Sequence, residues 1–283
     1  YTGNGGTQSI TGLDFQPDWV WIKDRDDNFK HILVDSVRGA TKHLASSSSA
    51  AEITNTANVT SFTSDGFALS SDGNVNANAD KYASWNWKES ATAGFDIVSY
   101  SGTGSAKTVS HNLGVKPDVI ICKSRSGAEE WRVYSSYLGA TKALRLNGTN
   151  AEDTDSGYWN NTEPTSSVFT VGTNGGTNGN GVTFIAYCFA SVKGYSKFGS
   201  YTGNNNANGT FVYTGFKPAF VMIKRTSDTQ GWVMWDNKRP GFNVTNQSLT
   251  ANETSAEETG RIFDILSNGF KMRDTNTATN AAS

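Results

Sequence analysis

One stretch of this 283-residue chain is written three times, and it limits the fold more than any other feature. The first copy is Phe15-Gln16-Pro17-Asp18-Trp19-Val20-Trp21-Ile22-Lys23. The second is Val115-Lys116-Pro117-Asp118-Val119-Ile120-Ile121-Cys122-Lys123, and the third Phe216-Lys217-Pro218-Ala219-Phe220-Val221-Met222-Ile223-Lys224. Pro17, Pro117 and Pro218 stand 100 and 101 positions apart, a period that marks a tandem repeat of domain-sized units. Proline fixes one backbone dihedral and donates no hydrogen bond, so it suits the entry to a strand. The consecutive apolar residues after it predict a central strand buried on both faces. The closing lysine predicts the point where that strand meets water.

The rest of the chain keeps the same period. Each copy opens on a turn: Tyr1-Thr2-Gly3-Asn4-Gly5, Tyr100-Ser101-Gly102-Thr103-Gly104 and Tyr201-Thr202-Gly203-Asn204-Asn205. Arg38-Gly39-Ala40-Thr41-Lys42 recurs as Leu138-Gly139-Ala140-Thr141-Lys142, while the third copy has Arg239-Pro240-Gly241-Phe242-Asn243. Phe67, Phe169 and Phe270 hold the period, and Glu52 is matched by Glu152 and by one of the acids of the third copy. Short alternating runs joined by Gly/Asn/Thr turns predict an all-β chain of three tandem β-sandwich repeats, jelly-roll-like, of about 100 residues each. The boundaries fall at 1–90, 91–192 and 193–283. The first unit lacks its first strand and the third its last, so the sequence reads as a piece of a longer protein; alternatively another subunit supplies the first strand. Short linkers, 88–94 and 191–194, predict sandwiches that touch.

Composition excludes several classes of function. Charged residues make up 18% and net charge is −2, which leaves no electrostatic footprint for nucleic acid. No run approaches the length of a membrane span, so no membrane insertion is expected. Both cysteines, Cys122 and Cys188, lie in the second copy alone, which predicts buried thiols rather than a disulfide framework.

The Tyr-Thr-Gly-Asn-Gly opening, the Pro-to-Lys strand, Arg38-Gly39-Ala40-Thr41-Lys42, Ser64-Asp65-Gly66-Phe67-Ala68-Leu69 and the aromatic strand closing each unit form a recognisable set. Together they resemble a tandem repeat module of bacteriophage tail-fibre and other virion structural proteins. The resemblance spans the chain and is weakest in the third copy. It implies a virion part for host attachment, with other virion proteins, copies of itself or a host surface glycan as partners. It implies no catalytic residues. The alternative is a secreted, extracellular carbohydrate-binding or adhesin module array from a bacterium.

Chemistry read from the residues is sparse. His31, His43 and His111 occupy no equivalent positions and sit in no triad-like arrangement, so they read as solvated or strand-end residues. The adjacent acids Glu129-Glu130, Glu152-Asp153 and Glu257-Glu258 read as surface charge, since neighbours on a strand point to opposite faces. The chain therefore reads as non-enzymatic. Calcium is the one cofactor suggested: Asp72, Asn74, Asn76, Asn78 and Asp80 offer an oxygen ligand at every second residue. Tyr158 and Trp159, in a polar loop, are the candidate contacts for a glycan or a subunit.

Overall fold

A computed structural model describes residues 1–240 and 243–282. The third copy of the Gly-Ala-Thr-Lys loop, 239–243, and Ser283 therefore lie partly or wholly outside the described residues. The fold is all-β, and among the described residues the named strands pair antiparallel, with one isolated parallel bridge between Gly203 and Ala282. In the first unit one sheet runs in the order Ile53–Thr54, Lys42–Leu44, Ile32–Asp35, Trp19–Asp24, Tyr82–Trp87. A smaller sheet of Gln8–Ile10, Gly66–Leu69 and Val59–Thr63 covers it. The second unit repeats this order with Asp153–Thr154, Lys142–Arg145, Arg132–Ser135, Val119–Ser124 and Thr183–Phe189, and adds Phe95–Ser101 at the end. Its covering layer is Lys107–Ser110 paired with Val168–Val171. In the third unit Phe211–Tyr213, Gly269–Met272, Glu258–Leu266, Thr245–Thr250, Trp232–Asp236 and Phe220–Lys224 form one continuous sheet. It folds over on itself, because Val221, Ile223 and Trp235 from one end pack with Phe263, Phe270 and Met272 from the other. A register slip between Thr245 and Gln247 sits where it turns.

The first two Pro-to-Lys strands are buried on both faces and the third on one with the other partly covered, and the two faces meet different cores. Val20 and Ile22 point into the first sandwich with Val59, Phe67 and Leu69. Ile120 and Cys122 do the same in the second, and Val221 and Ile223 in the third. The alternate residues, Trp19, Trp21 and Ile121, enter a single shared core, against which Phe220 and Met222 also pack. That core draws Trp85 and Phe95, Trp131 and Tyr187, and Trp232 and Met234 from successive parts of the chain. Period-two alternation thus sends each strand's side chains to two hydrophobic clusters, one local and one common to all three units.

The junctions around the shared core are equivalent and close into a ring. The amide of Glu52 donates to the Arg125 carbonyl, that of Glu152 to Thr226, and that of Glu257 to Arg25, each at 2.8 Å. The indole N–H of Trp131 donates to the Ala45 carbonyl at 3.0 Å and that of Trp232 to Arg145 at 2.8 Å. At the third junction His31 takes the indole's place, 3.1 Å from the Thr250 carbonyl. Its Nδ1 accepts the Trp21 indole N–H at 2.8 Å, so a neutral ring must carry its proton on Nε2 and donate to Thr250. Burial, then the nearby Lys23, holds its pKa well below the ordinary value, which keeps the ring neutral.

The expectation that the terminal lysine meets water is wrong. Lys23 and Lys123 are fully buried, and Lys224 is half-buried. At Lys123 and Lys224 the reason is the ring, since the preceding unit reaches the strand end; the Lys23 ammonium donates within its own unit, to the Asp24 and Asp27 carbonyls. The Lys123 ammonium donates to Ser49 of the first unit at 3.1 Å and to Ser124 at 2.8 Å, and Lys224 donates to Thr149 of the second unit at 3.0 Å. Burial lowers the pKa of all three to about 8. Below pH 8 folded and unfolded chains are both protonated at these sites. Between about 8 and the ordinary lysine value the folded form loses protons that the unfolded form keeps, so these groups add stability as pH rises. Chemical denaturation should show wild type gaining about 2 kcal/mol on Lys123→Met between pH 8 and pH 10; parallel pH profiles would contradict the assignment.

Candidate functional site

Tyr158 and Trp159 lie on the helical turn Ser156–Trp159, whose N-cap Asp155 accepts the Gly157 amide. Both side chains are buried, at 3% and 1% exposure, which corrects the expectation that they meet a ligand. The turn presses them into the second sandwich's core, where Trp159 meets Tyr134 edge-on with ring centroids 5.8 Å apart. The Trp159 indole N–H donates to the Lys142 carbonyl at 3.1 Å. The Tyr158 hydroxyl donates to Asp153 at 2.6 Å, and the Arg132 guanidinium lies 4.6 Å from the centre of its ring.

The 72–80 loop is likewise occupied by its own hydrogen bonds. Asp72 caps the turn Gly73–Asn76 by accepting the Asn74 amide at 2.8 Å, and its other oxygen accepts from Asn55. Asn74 accepts the Lys30 amide at 3.2 Å. Asn76 is fully buried; its side chain accepts the Asn4 amide and donates to Gly6 and Ser70. Asn78 is exposed and Asp80 half-buried. The Asp80 carboxyl is raised above its ordinary value by desolvation and then by Asp24, Asp27 and Asp26. Among the described residues no group of three or more His, Cys, Asp or Glu side chains is placed to hold a metal.

All three histidines are buried rather than solvated, and two of them, His31 and His111, stand at strand ends, the other reading expected of them. His31 bridges two units, His43 lies within the strand Lys42–Leu44, and His111 follows Lys107–Ser110 and is 4% exposed. Cys122 and Cys188 are free and buried; burial raises both thiols, Cys122 to about 12. Of the acids read as surface charge, Glu257 is a junction residue, paired with Arg25 at 2.9 Å and Arg239 at 2.8 Å.

Two further repeated arrangements stand out in the structure. The first is a buried ion chain. Arg38 is enclosed by Asp35, Glu52, the Leu33 carbonyl and the Tyr187 hydroxyl, and Glu52 continues to Arg125 at 2.9 Å. Asp236, Arg239, Glu257 and Arg25 repeat it where the third unit meets the first, with the Trp85 indole in place of the tyrosine hydroxyl. The second is Asn76, Asn178 and Asn280, each fully buried and 102 positions from the next. Each pins its unit's opening turn: Asn178 accepts the Thr103 amide at 2.8 Å, and Asn280 the Asn204 amide at 3.1 Å. Their exact spacing was the signal.

The surface aromatics are elsewhere. Tyr137, Tyr195 and Tyr213 are 64%, 60% and 66% exposed. Tyr213, Lys193 and Lys197 line an open cleft of about 410 Å³ at the start of the third unit, with Ser191 at its edge. This cleft is the candidate site. The one aromatic face there, Tyr213, is of the kind that stacks on a sugar ring, and two ammonium groups favour a ligand carrying negative charge.

A family model described as a domain of unknown function, DUF7483, matches residues 1–283, and the chain belongs to that family. No curated protein and no solved structure matches it significantly.

Proposed function

We propose that this member of the DUF7483 family is a non-enzymatic structural module of a bacteriophage virion, part of a tail fibre or similar surface appendage for host attachment. The observation that carries this reading is where the repeated polar residues go. Lys123, Lys224 and most of the junction acids tie neighbouring sandwiches around one core, the buried asparagines fix each unit's opening turn, and none of them lines the open cleft. Such a frame suits a part that holds loops in fixed positions. Peptides of the chain are expected in purified virions of the source, with antibody label on an appendage by electron microscopy. Absence from virions would sink the reading.

The alternative is a secreted bacterial carbohydrate-binding or adhesin array, and the exposed Tyr213 beside Lys193 and Lys197 favours it. A glycan array is expected to show binding that Tyr213→Ala reduces by about tenfold, in line with the loss of one aromatic stack. Running the array with and without calcium tests the 72–80 loop. No binding under either condition would leave a purely structural part.

A further inference from the structure

The two linkers between units follow one plan with opposite charge. In the first, the Glu89 amide donates to Asp18 at 2.9 Å, and Ser90 and Phe95 exchange backbone hydrogen bonds. In the second, the Ser191 amide donates to Asp118 at 2.8 Å, and Val192 and Ser196 exchange theirs. Ser191 therefore stands in step with Glu89, and Lys197 with Asp96. Lys193, in the turn, adds a second cation. No Asp or Glu occurs between Glu163 and Asp228, a stretch that carries Lys193, Lys197, Lys217, Lys224 and Arg225.

The exchange changes what the linker holds. The buried Asp96 carboxylate ties its linker to the loop beyond Lys107–Ser110, accepting the Asn112 amide at 2.7 Å. The His111 and Thr214 amides make matching bonds to the Ser167 and Asn268 carbonyls, each at 2.9 Å, which puts Gly215 in step with Asn112. Lys197 has no acceptor to offer Gly215, whose amide turns to the Asn268 carbonyl at 3.1 Å. Lys193, Lys197, Thr214 and Gly215 line the cleft left beside Tyr213. Among the described residues neither lysine pairs with a carboxylate. The Asp118 carboxylate behind Ser191 is already occupied, since its other oxygen accepts the Ser136 hydroxyl at 3.0 Å.

We propose that this cleft binds an acidic sugar residue of a glycan, whose carboxylate faces Lys193 and Lys197 where the second unit has the carboxylate of Asp96, and whose ring lies on Tyr213. The proposal rests on the carbohydrate-binding reading above and names its ligand. Ammonium groups bind a carboxylate through charge-assisted hydrogen bonds, which are stronger than those between neutral groups. The Tyr213 ring, 66% exposed, offers the stacking face. At the first linker, Glu89 and Asp96 oppose an anion, which confines the ligand to the second.

The test is a glycan array of uronate, sialate and neutral glycans, with the acidic ones printed both free and as methyl esters, probed with the intact chain. The free acids should be retained, and the esters bound at least about tenfold more weakly. That comparison uses wild type and does not depend on a variant folding. Lys197→Asp, which copies the second unit, should weaken binding of the free acids at least about tenfold. Lys81→Glu, a charge reversal at an exposed lysine of the first unit, should stay within about twofold. Esters bound as well as free acids, neutral glycans bound as well as acidic ones, or no effect of Lys197→Asp would overturn the proposal and leave the carbohydrate reading standing. Retention of no glycan would overturn both. Equal losses in Lys197→Asp and Lys81→Glu would mean a general attraction for polyanions and would also overturn it.

Discussion

Replacing Arg38 by Leu is expected to destabilise the folded chain by about 3–5 kcal/mol, and adding Asp35→Ser to that variant should restore most of the loss, leaving it within about 1 kcal/mol of wild type. Arg38 and Asp35 have fully buried side chains, and each is the other's main compensation. Removing the guanidinium leaves a carboxylate in an apolar setting with only the Tyr187 hydroxyl, at 2.7 Å, and the position-38 amide, at 2.8 Å. A buried charge without its partner is far costlier than a buried pair is valuable. The second unit holds Ser135 and Leu138 at these positions in the same strand and turn. The backbone therefore accepts the neutral arrangement, and the charge-free double variant copies it. Urea titrations of the two single variants and the double decide the matter. A double variant as unstable as Arg38→Leu would mean that the ion chain does more than satisfy its own charges.

Asn178→Leu should cost about 3–5 kcal/mol in the same titration, whereas Asn180→Ala, two residues on and exposed, should stay within about 0.5 kcal/mol. Asn178 is fully buried. Its Oδ1 accepts the Thr103 amide at 2.8 Å, and its Nδ2 donates to Ser105 at 2.7 Å and Gly172 at 2.6 Å. Leucine fills a similar volume but leaves one backbone donor and two acceptors with less compensation, each worth about 1–3 kcal/mol when buried. A loss below about 1 kcal/mol would mean that water replaces the amide.

The strands were legible because their period-two pattern and three-fold repetition are local signals. The burial of both faces of Trp19–Asp24 was legible for the same reason, but not the identity of the second face. Alternation says that Trp19 and Trp21 are covered; it does not say that Tyr187, stacked on Trp19 at 4.4 Å, does the covering from another unit. The same blindness explains the lysines. A lysine closing an apolar run reads as a strand end in water, and only the arrival of Ser49 and Thr149 from neighbouring units makes it a buried donor. Tyr158 and Trp159 misled for a local reason: Asp155, Ser156 and Asn160 make the segment polar in sequence, yet they cap and turn it so that both rings face inward. In the ion chain, Asp and Arg three positions apart recur in the first and third copies and are replaced by Ser and Leu in the second. Without the three-dimensional contact that substitution looks like drift rather than a matched exchange.

The junction that brings Thr250 to His31 also sets how the molecule comes apart. Arg25 and Glu257, joined there by two hydrogen bonds of 2.9 Å, are 232 positions apart in the chain. Contacts of such long range form only after much chain entropy has been lost, so they arrive late in folding and favour slow kinetics. In the reverse direction, a unit that detached would uncover the tryptophans of the other two. Loss of one third therefore removes support from the remainder, and partial opening is penalised at every junction. Proteases that act on opened chain must then wait for events close to global unfolding. Persistence of that kind comes from closure of the ring, in a chain whose two cysteines are both free.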